Sequence, residues 1–556
     1  MDHRPPARLA LHFAFALALA AVGCGSAPKT PSPTATALGP DEIPLSLTQR
    51  CPGDPDCLAG GDGQLYVGAA KRDITPLVEP FVDENGNGVH DANEPYSDLN
   101  GNGKFDPVWI AGRDSGTAAW GVHDPLWMRC WVVRQNQTTV AHCVLDAIGY
   151  FYDEVEQIRA DLDPALGVDL VMVSATHDHQ AKDTIGIWGS DDFTSGYDPI
   201  WMARVRAAAV EAITESVRNL KMAKMSIGSI LTEAPNHDMT HYISDTRDPV
   251  VIDDRLHVLQ FDGASDGKPI VTIVNWACHP DNLGSKRHLL SSDFVHYLRE
   301  GVEAGTGSEC IYVNGAQGGQ IGGGRVVPLD EHGKEVPNDH TFHSVAAWGN
   351  EMARMTLQAW AARKPVENPQ LAFRTSVFEV HVENVFYHTA ALLGLFHKQF
   401  FGYDHTQPLL GANTPITRTE VAFVTLGPAS IVTAPGELLP ELFLGGYDGS
   451  GTLPGSHSGI WPLFDPTQPN PPDLTQAPKA PYLFDELPGD PEHRMVFGLT
   501  FDMLGYIIAR FNFILDDRAP YVARAPGDHY EETNSIGPRA EPEIVGTLRQ
   551  LVESAR

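Results

Sequence analysis

Short runs of β-branched and apolar residues alternate along this chain with longer stretches of helical spacing. Residues 63–77 (GQLYVGAAKRDITPL) and 121–133 (GVHDPLWMRCWVV) read as strands, as does TTVAHCVLD at 138–146. The Asn136-Gln137 pair between the last two predicts a two-residue turn, which sets Cys130 directly opposite Cys143. Helical periodicity marks 152–162, 201–220 and 344–362. The strand-like segments PIVTIVNWACHP (269–280) and SECIYVNGAQGG (308–319) alternate with these helices. Mixed strands and helices without a repeating unit predict one large α/β domain from about residue 64 to 556.

The N-terminus follows another pattern. Arg4 and Arg8 precede an apolar stretch, 9–23, that is short for a membrane span. Ala21 to Cys24 resembles a bacterial lipobox, with Ala21 where Leu is usual, and ordinary secretion with cleavage nearby is the other reading. Residues 24–62 are rich in Pro, Ser and Thr, as a tether is. The expectation is a signal peptide over 1–23 and a lipid anchor on Cys24 in the bacterial cell envelope, with a periplasmic or secreted protein as the alternative. Export permits disulfides. Cys130 and Cys143 form either a bridge or a pair of buried thiols; Cys51 and Cys57 enclose a short polar loop, and Cys278 and Cys310 are a third candidate pair.

With 42% apolar and 20% charged residues the chain can bury a large core. Its net charge of −32 argues against nucleic acid as a partner through a basic surface. Part of the acidity lies in an insertion. In DENGNGVHDANE, oxygen-bearing side chains occupy loop positions 1, 3, 5, 9 and 12 (Asp83, Asn85, Asn87, Asp91, Glu94), with Gly88 at position 6. This is the EF-hand-type arrangement for Ca2+. A second copy supplies Asp98, Asn100, Asn102, Gly103 and Asp106 but no acid at position 12. The 83–106 insertion is therefore expected to staple an exposed excursion with calcium.

VMVSATHDHQAKD, beginning at residue 171, ends an apolar run on His177 and His179. Two histidines so placed suit a metal ion or a hydrogen-bonded loop, and the spacing alone does not choose.

Several segments taken in order resemble the neutral/alkaline ceramidase family: AAKRDITP, GVHDPLWMRCWVV, SATHDHQ, NWACHPDN with the later SSDF, VTAPGELLPEL, GLTFDMLGYII and HYEETNSIGPR. The resemblance spans nearly the whole chain from Gly63. It implies a ceramidase-like α/β fold, with zinc held by His177, His279, Glu437 and Tyr506. It also implies His179 as a second active-site histidine, acting as general acid/base. Two imidazoles, a carboxylate and a phenol oxygen would leave Zn2+ an open position. Tyr530 and backbone N–H groups of the glycine-rich 315–324 loop are candidates to stabilise an oxyanion.

The chain also departs from the family. Gly319 and Ile321 stand at the positions of its Asp and catalytic Ser, Gln180-Ala181-Lys182-Asp183 replaces a Ser-Gly-Pro-Gly, and no C-terminal immunoglobulin-like domain is expected. The calcium insertion is not a family feature. The expected function is a zinc-dependent hydrolase of an acyl amide, with a sphingolipid-like N-acyl lipid as the first substrate to test. Two alternatives stand beside it. One is a metal-dependent hydrolase of phosphate or lactone esters in which Asp183 bridges two metals. The other is a degenerate, calcium-stabilised surface lipoprotein.

Overall fold

A computed structural model describes residues 63–555, apart from Asn87, Glu331 and the segments 233–241, 285–287, 323–325 and 449–462; it also gives the strand Thr48–Arg50. The signal peptide, Cys24, Cys51, Cys57 and most of the tether lie outside the described residues.

The expected alternation of strands and helices is observed. The main strands are β1 Leu65–Asp73, β2 Trp127–Gln135, β3 Thr138–Leu145, β4 Leu170–Ala175, β5 Lys221–Leu231, β6 Arg255–Gly263, β7 Pro269–Trp276 and β8 Glu309–Asn314. They form a mixed sheet in the order β8-β7-β6-β5-β1-β2-β3-β4, with Lys364–Pro365 pairing on β5. The outermost pairs, β7–β8 and β3–β4, are parallel, and the other neighbours are antiparallel. A second sheet runs Thr48–Arg50, β9 Leu371–His381, β10 Ile416–Leu426, β11 Ala429–Thr433 and β12 Arg494–Phe497.

The predicted helices appear as α1 Tyr152–Asp161, α2 Pro199–Arg218 and, after α3 Phe294–Thr306, α4 Phe342–Ala361; α5 Ala540–Ser554 follows late in the chain. Each start has a local cause. Asp198 caps α2 by accepting from the amides of Ile200 and Trp201, and Thr341 with Ser344 forms a capping box on α4. The strand expected over 121–133 is split into Gly121–Val122 and β2. Pro125, which has no N–H to donate, lies in the gap. Among the described residues no helix is long and apolar enough to cross a membrane.

The β2–β3 hairpin turns at Asn136, whose φ is +55°, and pairs Cys130 with Cys143. The two are joined in a disulfide. Cys278 and Cys310 are not: both are buried free thiols.

The two edges of the main sheet are joined by one segment that follows β12. Gly498 donates to Asn314 O at the end of β8 (2.9 Å). Phe501 donates to Val173 O (2.8 Å), and Leu499 O accepts from Ala175 at the end of β4 (3.1 Å). A Cβ on Gly498 would lie 2.1 Å from Gly315 O, so only glycine lets the strands come this close. The closure brings the C-terminal end of β4, at one edge of the sheet, to those of β7 and β8 at the other.

Candidate metal centre

His177 follows β4, and its φ of +68° turns the chain sharply out of the strand. A non-glycine residue in this region carries roughly 1–2 kcal/mol of strain, which is sustained where the surroundings require it. His279 follows β7. Glu437 lies beyond β11 in the two-residue strand Glu437–Leu438, which pairs in parallel with Tyr506–Ile507 so that Glu437 and Tyr506 are register partners.

The ring nitrogens are oriented from behind. Nδ1 of His177 lies 2.6 Å from Ile148 O, Nδ1 of His179 3.2 Å from Gly112 O, and Nδ1 of His279 2.8 Å from Gln320 O. A carbonyl only accepts, so each Nδ1 carries the proton and each Nε2 presents a lone pair. Nε2 of His177 and His279 lie 3.2 and 3.1 Å from the same Glu437 oxygen, and Nε2 of His179 is buried without a partner. Lone pairs facing a carboxylate repel unless a proton or a metal ion sits among them. Ligand atoms of His177, His179 and His279 all fall within 4.8 Å of one another, so this group can hold a metal ion. Nitrogen and carboxylate donors, each ring fixed by a second hydrogen bond, are a set that suits a divalent transition-metal ion.

Without a metal ion, a proton on an imidazole holds the Glu437 carboxylate in the same place. Burial pushes the Glu437 carboxyl up, but the two imidazoles outweigh it and hold it well below the usual carboxylate range. Burial pulls His279 down, yet the Glu437 contact leaves it raised. His179 is driven well below an ordinary histidine by burial, then by His177 and Arg113, and is therefore neutral. The Tyr506 phenol is raised by burial and by Glu437. Tyr530, 37% exposed, meets the Tyr506 ring edge-on at 6.2 Å between centroids. Its phenol is pushed up to about 12 by burial, Glu437 and Glu531, which keeps its proton available to donate.

Two expectations are corrected. Asp183 is no metal bridge: its carboxylate accepts from the backbone amides of Ile185, Gly186 and Trp188 and caps a loop. Much of the 315–324 loop has no amide to spare for an oxyanion, because Gly315, Gly318 and Gln320 donate to Trp276 O, Leu438 O and Gln317 O. His179 falls within the group of three histidines that could hold a metal ion, beside His177 and His279. Ile321 flanks the site from a short strand, Gln320–Gly322, that pairs with Ile243–Asp245 and bridges to His279.

Sequence reasoning missed Gly112 and Arg113. A Cβ on Gly112 (φ +77°) would lie 2.5 Å from His179 Nδ1, so the tight approach of this carbonyl to the ring requires glycine. Arg113 hydrogen-bonds Asp281 O, two residues past His279. Both lie beyond the insertion, and no local motif announces them.

In the insertion, Asp83 accepts from Gly86 and Gly88, and the 5%-exposed Glu94 accepts from Glu84 and Asp91. Asn85 donates to Asp91; Asn87 lies outside the described residues. The second loop repeats the pattern. Asp98 accepts from Gly101, Asn102 and Gly103, and Asn100 and Asn102 both donate to Asp106. The acid missing at its position 12 is supplied by Glu79, 2% exposed, which accepts from Leu99 and Asp106 as Glu94 does from Glu84 and Asp91. The signal was in the sequence: EPFVDENGNG at 79–88 recurs as EPYSDLNGNG at 94–103. The two copies pair through Val82 N to Pro95 O and Ser97 N to Pro80 O.

No family model matches the chain, and no curated protein does. Solved structures do. The chain has the fold of the neutral ceramidases. It superposes on neutral ceramidase from Pseudomonas aeruginosa with a TM-score of 0.58 at 14% identity, over 88% of this chain and 74% of that one. A ceramidase complexed with C2 gives 0.57 at 14% identity, over 88% and 75%.

Proposed function

We propose that the chain is an exported, zinc-dependent hydrolase of an acyl amide, with an N-acyl lipid as substrate. The observation that carries this reading is the convergence of three Nε2 lone pairs and the Glu437 carboxylate, each ring held by a backbone carbonyl. His177, His279, Glu437 and Tyr506 would hold the zinc. When bound, the ion supplies Lewis acidity toward water and a carbonyl oxygen. His179, neutral and with Nε2 unengaged, accepts a proton from the attacking water and returns it to the leaving amine. Tyr530 donates its phenol proton as a hydrogen bond to the developing oxyanion. No side-chain nucleophile is needed, so Ile321 in place of serine is compatible with turnover.

The two loops of the insertion each bind one Ca2+, closed by Glu94 in the first and by Glu79 in the second. Cys24 carries a lipid that tethers the protein to the bacterial membrane.

The test is elemental analysis combined with turnover of fluorogenic N-acyl amides. His279→Ala is expected to lose zinc and activity together. His179→Ala is expected to keep zinc on His177, His279, Glu437 and Tyr506 and lose activity. Full activity in His179→Ala would refute its role. A second reading, a non-catalytic relative, is motivated by Ile321; turnover appearing only in Ile321→Ser would favour it.

A further inference from the structure

Among the described residues, Arg113 is a cation close to the histidines that the chemistry above does not use. It adjoins Gly112, whose carbonyl holds His179, and its side chain is 13% exposed. Among the described residues it makes one hydrogen bond, from Nη2 to Asp281 O at 3.2 Å. The Asp281 carboxylate stands 3.7 Å from Nη1, beyond hydrogen-bonding distance. Nε is buried without a partner. The guanidinium thus keeps most of its donors beside His179, whose own Nε2 is also unengaged.

Unsatisfied donors on a largely buried cation are costly, and the arrangement suits a ligand that brings an anion. We propose that Arg113 binds a carboxylate on the substrate, which makes the substrate class N-acyl amino acids: acyl amides whose amine part carries a carboxylate. The planar fork of arginine matches a carboxylate with two parallel N–H donors. Asp281 and Glu437 nearby favour a monoanion over a phosphate dianion. Apolar side chains adjoin the same histidines. Ile148 holds His177 through its carbonyl and packs with Ala111, Phe151 and Ile185, flanked by Trp188 and Phe396. An acyl amide with an anionic head gives Arg113 the bidentate partner that Asp281, an ion-pair distance of 3.7 Å away, does not, whereas a neutral ceramide adds no such partner.

The inference rests on the acyl-amide reading, and binding tests it separately from turnover. Calorimetry on the full chain, depleted of metal, compares N-dodecanoylglycine with its neutral isostere N-dodecanoylglycinamide. The carboxylate is expected to bind roughly tenfold tighter or more. Arg113→Gln should equalise the two ligands, and Arg113→Lys, which keeps the charge but not the fork, should retain part of the preference. Equal affinities in the unaltered protein, no binding of either ligand, or a preference that survives Arg113→Gln would each overturn the assignment. If Arg113→Gln does not fold, an undiminished preference in Arg113→Lys overturns the bidentate fork. A carboxylate preference in a zinc-loaded protein that turns over no acyl compound would sink the hydrolase reading and leave the Arg113 site standing.

Discussion

Replacing Gly112 by alanine isolates what His179 does. At a φ of +77° a residue with a Cβ carries roughly 1–2 kcal/mol of strain. The new methyl would start 2.5 Å from His179 Nδ1 and 2.8 Å from its Cγ. Restoring an ordinary contact of 3.4 Å moves the ring by about 0.9 Å, the difference of 3.4 and 2.5. That shift breaks the 3.2 Å bond from His179 Nδ1 to Gly112 O, the contact that fixes tautomer and orientation. A misplacement near 1 Å costs on the order of 100-fold in rate. His177 and His279 have their own carbonyl partners and do not depend on Gly112. Gly112→Ala is therefore expected to melt a few degrees lower, keep its zinc, and lose about two orders of magnitude in turnover. Thermal melts, elemental analysis and steady-state kinetics on one preparation decide it. Undiminished turnover with zinc bound would refute His179 as the proton carrier. Loss of zinc would show that His179 is needed to hold the ion.

Other perturbations bear on the remaining features. Glu441 is fully buried and pushed up to about 7 by that burial, from an ordinary 4.5. Its fold therefore favours the protonated acid: the stability is fully present below pH 4.5 and is lost as pH rises toward 7. At 1.36 kcal/mol per unit the loss is about 3 kcal/mol. Glu441→Gln should flatten this part of the melting-temperature profile, and an unchanged slope would refute the assignment. Glu79→Gln should lower the calcium stoichiometry from two to one and speed proteolysis within 98–106, in a calcium titration monitored by mass spectrometry; two ions still bound would show that Glu79 is not a ligand.

Part of the site was legible because it is local. An apolar strand that stops on His177 and His179, or on His279 before Pro280, marks a strand end carrying histidines, and the fold brings these three together. Likewise, the turn at Asn136 sets the register that joins Cys130 to Cys143. What escaped depends on distance in the fold. The edges of the main sheet are brought together by the Gly498–Phe501 segment, and no periodicity reports that β4 and β8 end side by side. Gly112 and Arg113 reach the histidines only after the chain has made the 83–106 excursion. Asp183 looked like a ligand by type, but a carboxylate within reach of three free amides in a turn satisfies them first. Glu79 was readable in principle, since its repeat with Glu94 is plain once the segments are aligned from the Glu-Pro pair instead of from the aspartate.

The central claim is that this histidine and carboxylate cluster is a zinc site that cleaves acyl amides. Its most direct test is to titrate zinc into the metal-depleted full chain while following hydrolysis of an N-acyl amide. The account predicts activity that rises in proportion to bound zinc and saturates at about one ion per chain. Zinc that saturates the cluster without turnover of any acyl amide or ester, or equal activity in the metal-free protein, would contradict it.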